Sequence, residues 1–219
     1  VSHGENGHEF SYRREGSAAS RMRASTLPMD ALRATRVLHL SAISQAISAT
    51  AAEACAAAID AARGAGAIVC YDTNLRLKLW PLPRAREVIR ATMRGIDWAL
   101  PGLDDARAIY GIDDPDAIID CCLGDGARNV ALQMGAQGCV VASGRSRERL
   151  RGHPVEAVDA TGAGDCFDGA FIARICRGDS PLQAAAYANV AAALSTRGYG
   201  AVAPLPRSAD VEAALARAA

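Results

Sequence analysis

An alternation constrains this chain more than any other feature. Short apolar runs, RVLHLSA (36–42), GAIVCYD (66–72), DWALPG (97–102) and NVALQMG (129–135), are separated by alanine-rich segments of helical character. Neighbouring parallel strands can be joined only by a crossover of a dozen or more residues, and that crossover usually packs on the sheet as a helix. The pattern therefore predicts an α/β fold, a mostly parallel central sheet flanked by helices. Helices are expected over 50–66, with a glycine stop, and over 81–95, opened by prolines and ended by Gly95. DDARAIYG and PDAIIDCCLGDG read as two shorter ones, and 137–159 as a β excursion around a charged turn. Residues 180–200 open a helix on Ser-Pro and hold it to about Thr196. The opening VSHGENGHEFSYRRE reads as a hairpin whose Gly-Glu-Asn-Gly turn leads into alternating Phe10 and Tyr12.

Composition then limits the kinds of function. With 219 residues, half of them hydrophobic, the chain is long enough for one well-buried core, so a single domain over 1–219 is expected. Basic and acidic residues balance at 24 each, which leaves no general attraction to nucleic acid or to an anionic membrane. No apolar run approaches the roughly 18 residues needed to span a bilayer, and the N-terminus has no signal-peptide pattern, so a cytoplasmic place is expected. The seven cysteines lack C-x-x-C spacing and lie mostly in apolar segments, as reduced buried thiols do. Any anionic ligand must be held by a local pocket.

One stretch has the chemistry for such a pocket: VDATGAGDCFDGAFIARI, residues 158–175. In open α/β sheets ligands sit outside the carboxyl ends of the strands, where a loop hands over to a helix. A Gly-Ala-Gly turn there exposes backbone N–H groups at a positive helix end, and an anion can approach them closely. Asp165 has two readings. It can be a helix N-cap, or a base that takes the proton from an attacking hydroxyl while the amides stabilise a transferring phosphoryl group. The stretch is neither a P-loop nor a dinucleotide fingerprint.

These residues closely resemble the second signature of the ribokinase-like (PfkB) carbohydrate kinases. Further segments fall in the family's order: YDTNLRLKLWP is similar to its D-x-N-x-R-x-x-L-W segment, ALPGLDDARAIYG to the one that reads P-N-x-x-E, and LQMGAQGCVV to the K-x-G-x-x-G strand-turn-strand. AANVAAALSTRGYGAVAPLP is similar to the C-terminal helix and loop beneath the adenine, so the resemblance covers essentially the whole chain. It implies a ribokinase-like fold, with 1–20 as a remnant of the β lid and substrate strand and 21–219 as the α/β core carrying the ATP site.

What the resemblance implies for the site is specific. Asp165 would be the catalytic base, with Gly162, Ala163 and Gly164 forming the anion hole. Gln133, Gly135, Gly138, Gly164 and Asn189 would bind ATP, with Mg²⁺ bridging its phosphates mainly through waters. Asp159 and Thr161 match positions that hold a monovalent cation, K⁺, in some relatives. Within the family the pattern is most similar to the 2-keto-3-deoxygluconate kinases: FSYRREGSAAS places Tyr12 and Arg14 in the substrate strand, and Arg76 is the arginine of D-x-N-x-R. A planar, permanently charged guanidinium suits the carboxylate of a sugar acid. The expected reaction is transfer of the ATP γ-phosphate to 2-dehydro-3-deoxy-D-gluconate, giving its 6-phosphate. The expected partners are a sugar acid and ATP, without nucleic acid or membrane, and a homo-oligomer is compatible with the pattern.

Three departures from the family pattern stand out: Gly102 and Asp105 where the family has Asn and Glu, Gln133 in place of Lys, and no early glycine-rich signature. A kinase for a neutral sugar or a nucleoside, and a non-catalytic nucleotide-binding remnant, therefore remain open. Because the chain opens at Val1, inside the hairpin pattern, an upstream segment and weak activity without it are expected.

Overall fold

The structure is a computed structural model that describes residues 2–4, 7–9, 14 and 16–218, with side chains from Arg14 onward to 217. Two short strands, β1 (Ser2–Gly4) and β2 (Gly7–Glu9), pair antiparallel with Gly4 opposite Gly7, which is the hairpin turn read from Gly-Glu-Asn-Gly. The expected continuation through Phe10 and Tyr12 lies outside the described residues.

The main sheet has six strands in strictly sequential order: β3 (Val37–Ser41), β4 (Ile68–Asp72), β5 (Trp98–Ala99), β6 (Asn129–Gln133), β7 (Cys139–Ser143) and β8 (Ser146–Leu150). The first four run parallel; β7 and β8 return antiparallel as a meander. All four predicted core strands and the β excursion are therefore present, although the excursion ends at Leu150. Beyond it, 151–158 runs without regular structure.

Nine helices cover the described chain: α1 (Met29–Ala34), α2 (Ala42–Ala46), α3 (Ala49–Gly64), α4 (Leu82–Thr92), α5 (Leu103–Tyr110), α6 (Pro115–Gly124), α7 (Ala163–Cys176), α8 (Pro181–Ser195) and α9 (Ser208–Ala218). Local chemistry sets several of their ends. Ser48 and Asp114 accept the Ala51 and Ala117 N–H groups at the starts of α3 and α6, and Ser180 with Gln183 forms a capping box on α8. No helix was expected over α1, α2 or α9; α1 and α2 span only six and five residues, which carry little periodicity.

The central strands β4 to β7 are buried on both faces, and strand alternation divides the core. Val69, Tyr71, Val130, Leu132 and Val140 point to one side, against Ile59 of α3, Ile89 of α4 and Ile118 of α6. Cys70, Trp98, Ala131 and Val141 point to the other, against Phe167 and Phe171 of α7 and Ala184, Ala185 and Ala188 of α8. The Trp98 and Phe171 rings meet edge to face at 4.8 Å, a preferred aromatic geometry. The alanine richness has a packing reason here. Small side chains on α8 let it lie close to both α7 and the sheet. Packing α7 on this face brings its N-terminus to the carboxyl ends of the parallel strands, where Asp72, Gly102 and Gln133 also stand.

Candidate active site

The carboxyl ends of β4, β5 and β6 and the turn before α7 enclose a cavity of about 360 Å³ lined by Asp72, Asn74, Arg76, Gly102, Asp105 and Gln133 on one side and 160–162, Gly164 and Asp165 on the other. A second cavity of about 500 Å³ adjoins it across Gly102, Asp105 and Gln133, between α5 and the 134–137 turn, and includes Gly135.

The glycine turn is built by Asp159. Its buried carboxylate accepts hydrogen bonds from the Thr161 N–H (2.9 Å) and Oγ1 (2.6 Å) through Oδ1, and from the Gly200 N–H (2.8 Å) through Oδ2. One buried acid thus ties the turn to the loop after α8. Gly162 then takes φ +78°, and a Cβ there would stand 2.7 Å from Ala201 Cβ, so both conformation and space require glycine. The helix N-cap is Gly162, with no side-chain cap. Asp165 therefore sits in the first turn with an exposed side chain that caps nothing, and it faces the cavity. Of the turn amides expected to form the anion hole, that of Ala163 donates to the Ala160 carbonyl (3.1 Å), and Gly162 and Gly164 line the cavity.

Asp72 closes the opposite wall. It ends β4, 9% exposed, with Oδ1 accepting the Asn74 N–H (3.0 Å) and Oδ2 the Ser41 hydroxyl (3.3 Å). Burial pushes its pKa up to about 6; the carboxylates of Asp105 and Asp165 add to the rise and the Asn74 N–H opposes it. Asp105 stands where the resemblance has a longer Glu, yet it still reaches the cavity: Oδ2 accepts the Leu75 N–H (2.8 Å) and lies 4.0 Å from Arg76 Nη1. Burial raises its pKa as well, against the Leu75 N–H and the Arg76 charge. Arg76 also donates to the Leu75 carbonyl (2.8 Å), which holds the guanidinium at the rim.

The remaining predicted residues fall elsewhere. Gly138 takes φ +98° at the end of the β6–β7 turn, where its Cα faces the Leu150 backbone. Asn189 donates from Nδ2 to the Arg151 carbonyl (2.7 Å), so it ties α8 to the segment after β8 and does not line the Asp165 cavity. The Arg14 carbonyl accepts the Ser17 N–H (3.1 Å) at the turn after the N-terminal segment. Tyr12 lies outside the described residues. Sequence reasoning missed Asp168, a fully buried acid three residues beyond Asp165 that holds Gln133 (Nε2 to Oδ1, 2.8 Å). The signal was available, since an acid one helical turn after Asp165 on an otherwise apolar stretch has to be buried or paired.

A sequentially ordered sheet with α7 docked on one face, and its glycine turn meeting the strand ends, defines a ribokinase-like α/β domain. The pfkB family carbohydrate kinase model matches residues 1–208, and the chain belongs to that family. It is 32% identical over 213 residues to a probable fructokinase-5 of Arabidopsis thaliana, covering 93% of the chain and 65% of that relative. To a 2-dehydro-3-deoxygluconokinase of Bacillus subtilis it is 31% identical over 200 residues, covering 90% and 62%. A protein described as a ribokinase II from E. coli, solved in complex with ATP and Mg²⁺, superimposes with a TM-score of 0.87 at 25% identity, over 95% of this chain and 68% of that one. The chain thus spans a little under two thirds of the length of these two curated relatives. Among the described residues no helix is long and apolar enough to cross a membrane.

Proposed function

We propose that this chain carries the catalytic and nucleotide-binding part of an ATP-dependent sugar kinase acting on a sugar acid, 2-dehydro-3-deoxygluconate, at its 6-hydroxyl. One observation carries the reading: Asp165, uncommitted to any cap, shares a single cavity with Gly162 and Gly164 of the turn and with Arg76. Asp165 takes the proton of the attacking hydroxyl, and the Gly162 and Gly164 N–H groups, at the positive end of α7, stabilise charge on the transferring phosphoryl group. Arg76 receives the acceptor's carboxylate, with Tyr12 and Arg14 assigned to the same acceptor by the sequence pattern. Asp72 and Asp105 fit the water shell of a nucleotide-bound Mg²⁺, which neutralises phosphate charge when present. Asp159 and Thr161 keep the turn in shape, whether or not a monovalent cation also binds there.

The Arabidopsis fructokinase relative is as similar as the deoxygluconokinase, which makes a neutral hexose the second reading for the acceptor. Coupled ADP-release assays with 2-dehydro-3-deoxygluconate, fructose and ribose, on the chain and on Arg76→Ala, separate the two. A charge-assisted contact is worth about 1.5–3 kcal/mol, so the variant should raise the KM for the sugar acid roughly tenfold or more and leave that for ATP near its starting value. Equal discrimination between acid and neutral hexose in both proteins would transfer the assignment to the fructokinase-like acceptor.

A further inference from the structure

Gln133, at the end of β6, lines both cavities, together with Gly102 and Asp105. Its Nε2 lies between two acceptors, Asp168 Oδ1 at 2.8 Å and the Leu100 carbonyl at 3.3 Å. A backbone carbonyl only accepts, so the amide nitrogen must be on that side and Oε1 on the other. Oε1 accordingly faces the glycine turn, 3.5 Å from where a Cβ on Gly164 would stand. Asp168 is 1% exposed, and its Oδ2 has no hydrogen-bond partner among the described residues; His39 Nε2 stands 3.7 Å from it.

We propose that Asp168 is a positioning residue for Gln133: by holding Nε2 it turns Oε1 into the cavity, where the oxygen accepts from a water on a nucleotide-bound divalent cation. This rests on the phosphoryl-transfer reading. The surroundings of Asp168 favour the neutral acid, an acceptor at Oδ1 and a donor at Oδ2. Burial, then Asp72 of β4 and Asp165 on its own helix, push its pKa well above the carboxylate range, while the Gln133 N–H opposes them. His39 on β3 faces it with its own pKa lowered by burial, and Cys70 of β4 faces it with a thiol pushed up to about 12, chiefly by burial. A neutral carboxyl is mimicked by asparagine and not by leucine, although both fill the space.

The test compares the wild-type chain with Asp168→Asn and Asp168→Leu by the side-chain amide signals of Gln133 in ¹⁵N-correlated spectra, assigned with Gln133→Glu, and by titration with ADP with and without Mg²⁺. Wild type and Asp168→Asn should show a shifted, slowly exchanging Gln133 pair. Asp168→Leu should lose it, and should bind Mg-ADP about five- to tenfold more weakly, the loss of about one hydrogen bond, with ADP alone unchanged. A Gln133 pair that is the same in Asp168→Leu, or one lost equally in Asp168→Asn, overturns the positioning role. If the pair responds as expected but no protein binds Mg-ADP, the positioning role stands, and the assigned ligand falls together with the phosphoryl-transfer reading.

Discussion

Replacing Asp72 by Asn should stabilise the protein at neutral and alkaline pH and change little in acid. In the folded chain the acid's pKa is pushed up to about 6 from an ordinary 3.8. At about 1.36 kcal/mol per unit, keeping this group ionised above pH 6 costs roughly 3 kcal/mol of stability. Because the folded state binds this proton more tightly than the unfolded chain, the group's contribution is fully present below about pH 4. It is lost as pH rises from there through about 6. Asparagine keeps the acceptor for the Asn74 N–H and can still bond to Ser41, so its own penalty is small. A net gain of about 1–3 kcal/mol in a domain of this size is a rise in Tm of about 3–9 °C. The same substitution removes one of the charges that raise the pKa of Asp168, which acts in the same direction. Calorimetric unfolding of both proteins at about pH 4, 5, 6 and 8 reads the difference directly. Curves that converge at pH 4 and separate by pH 8 are expected. A constant offset across the series, or a variant less stable at pH 8, would refute the burial argument. The cost also bears on function, because a carboxylate held at a strand end against its own solvation is characteristic of a used site.

Two further substitutions address the glycine turn and its acid. Asp165→Asn should lower kcat by about 10²–10⁴, the usual loss of a general base, while ADP affinity measured by titration stays within a few-fold; near-normal turnover would remove Asp165 from the base role. Gly162→Ala must hold φ near +78° and push Ala201 aside, costing about 1–2 kcal/mol for the left-handed conformation and about 1–3 for overpacking. Its control is Gly169→Ala in α7, where a Cβ meets nothing within 4 Å and should gain about 0.8–1 kcal/mol of helix stability. Urea unfolding with similar midpoints for the two variants would contradict the account of the turn.

Much of the fold was legible because its signals are local. The four strand runs, the glycine stops and the Ser-Pro start of α8 each lie within a few residues, and each appears in the structure close to where the pattern placed it. α1 and α2 were not legible, since segments of six and five residues carry too little periodicity; α9, of 11 residues, was missed although Val211 and Ala214 repeat at helical spacing. In the site, Asp165 and the turn around Gly162 could be read from spacing alone. That Asp165 caps nothing could not, because the N-cap is Gly162, in a turn that Asp159 ties to the loop after α8 and that lies so close to Ala201, 39 positions later, that no Cβ fits there.

The sequence by itself determined which chemistry the chain holds: a parallel α/β sheet, an amide-rich turn, and acids and an arginine at strand ends, all set by short-range pattern. Only the tertiary structure decided how those groups work together. Asn189 and Asp105 show the division. The resemblance gave Asn189 an adenine-edge role, and folding adds a bond that spacing could not show, from its amide to the Arg151 carbonyl; Asp105, a shorter acid than the family's, still lines the cavity, where it accepts the Leu75 N–H. Asp168 is the clearest case, as nothing near it in sequence indicates that this residue of α7 will hold Gln133, which lies 35 residues earlier at the end of β6. The reason is physical. Periodicity reports which face of an element is apolar, but burial, desolvation and the partner of a buried carboxyl arise only when distant elements are packed against one another.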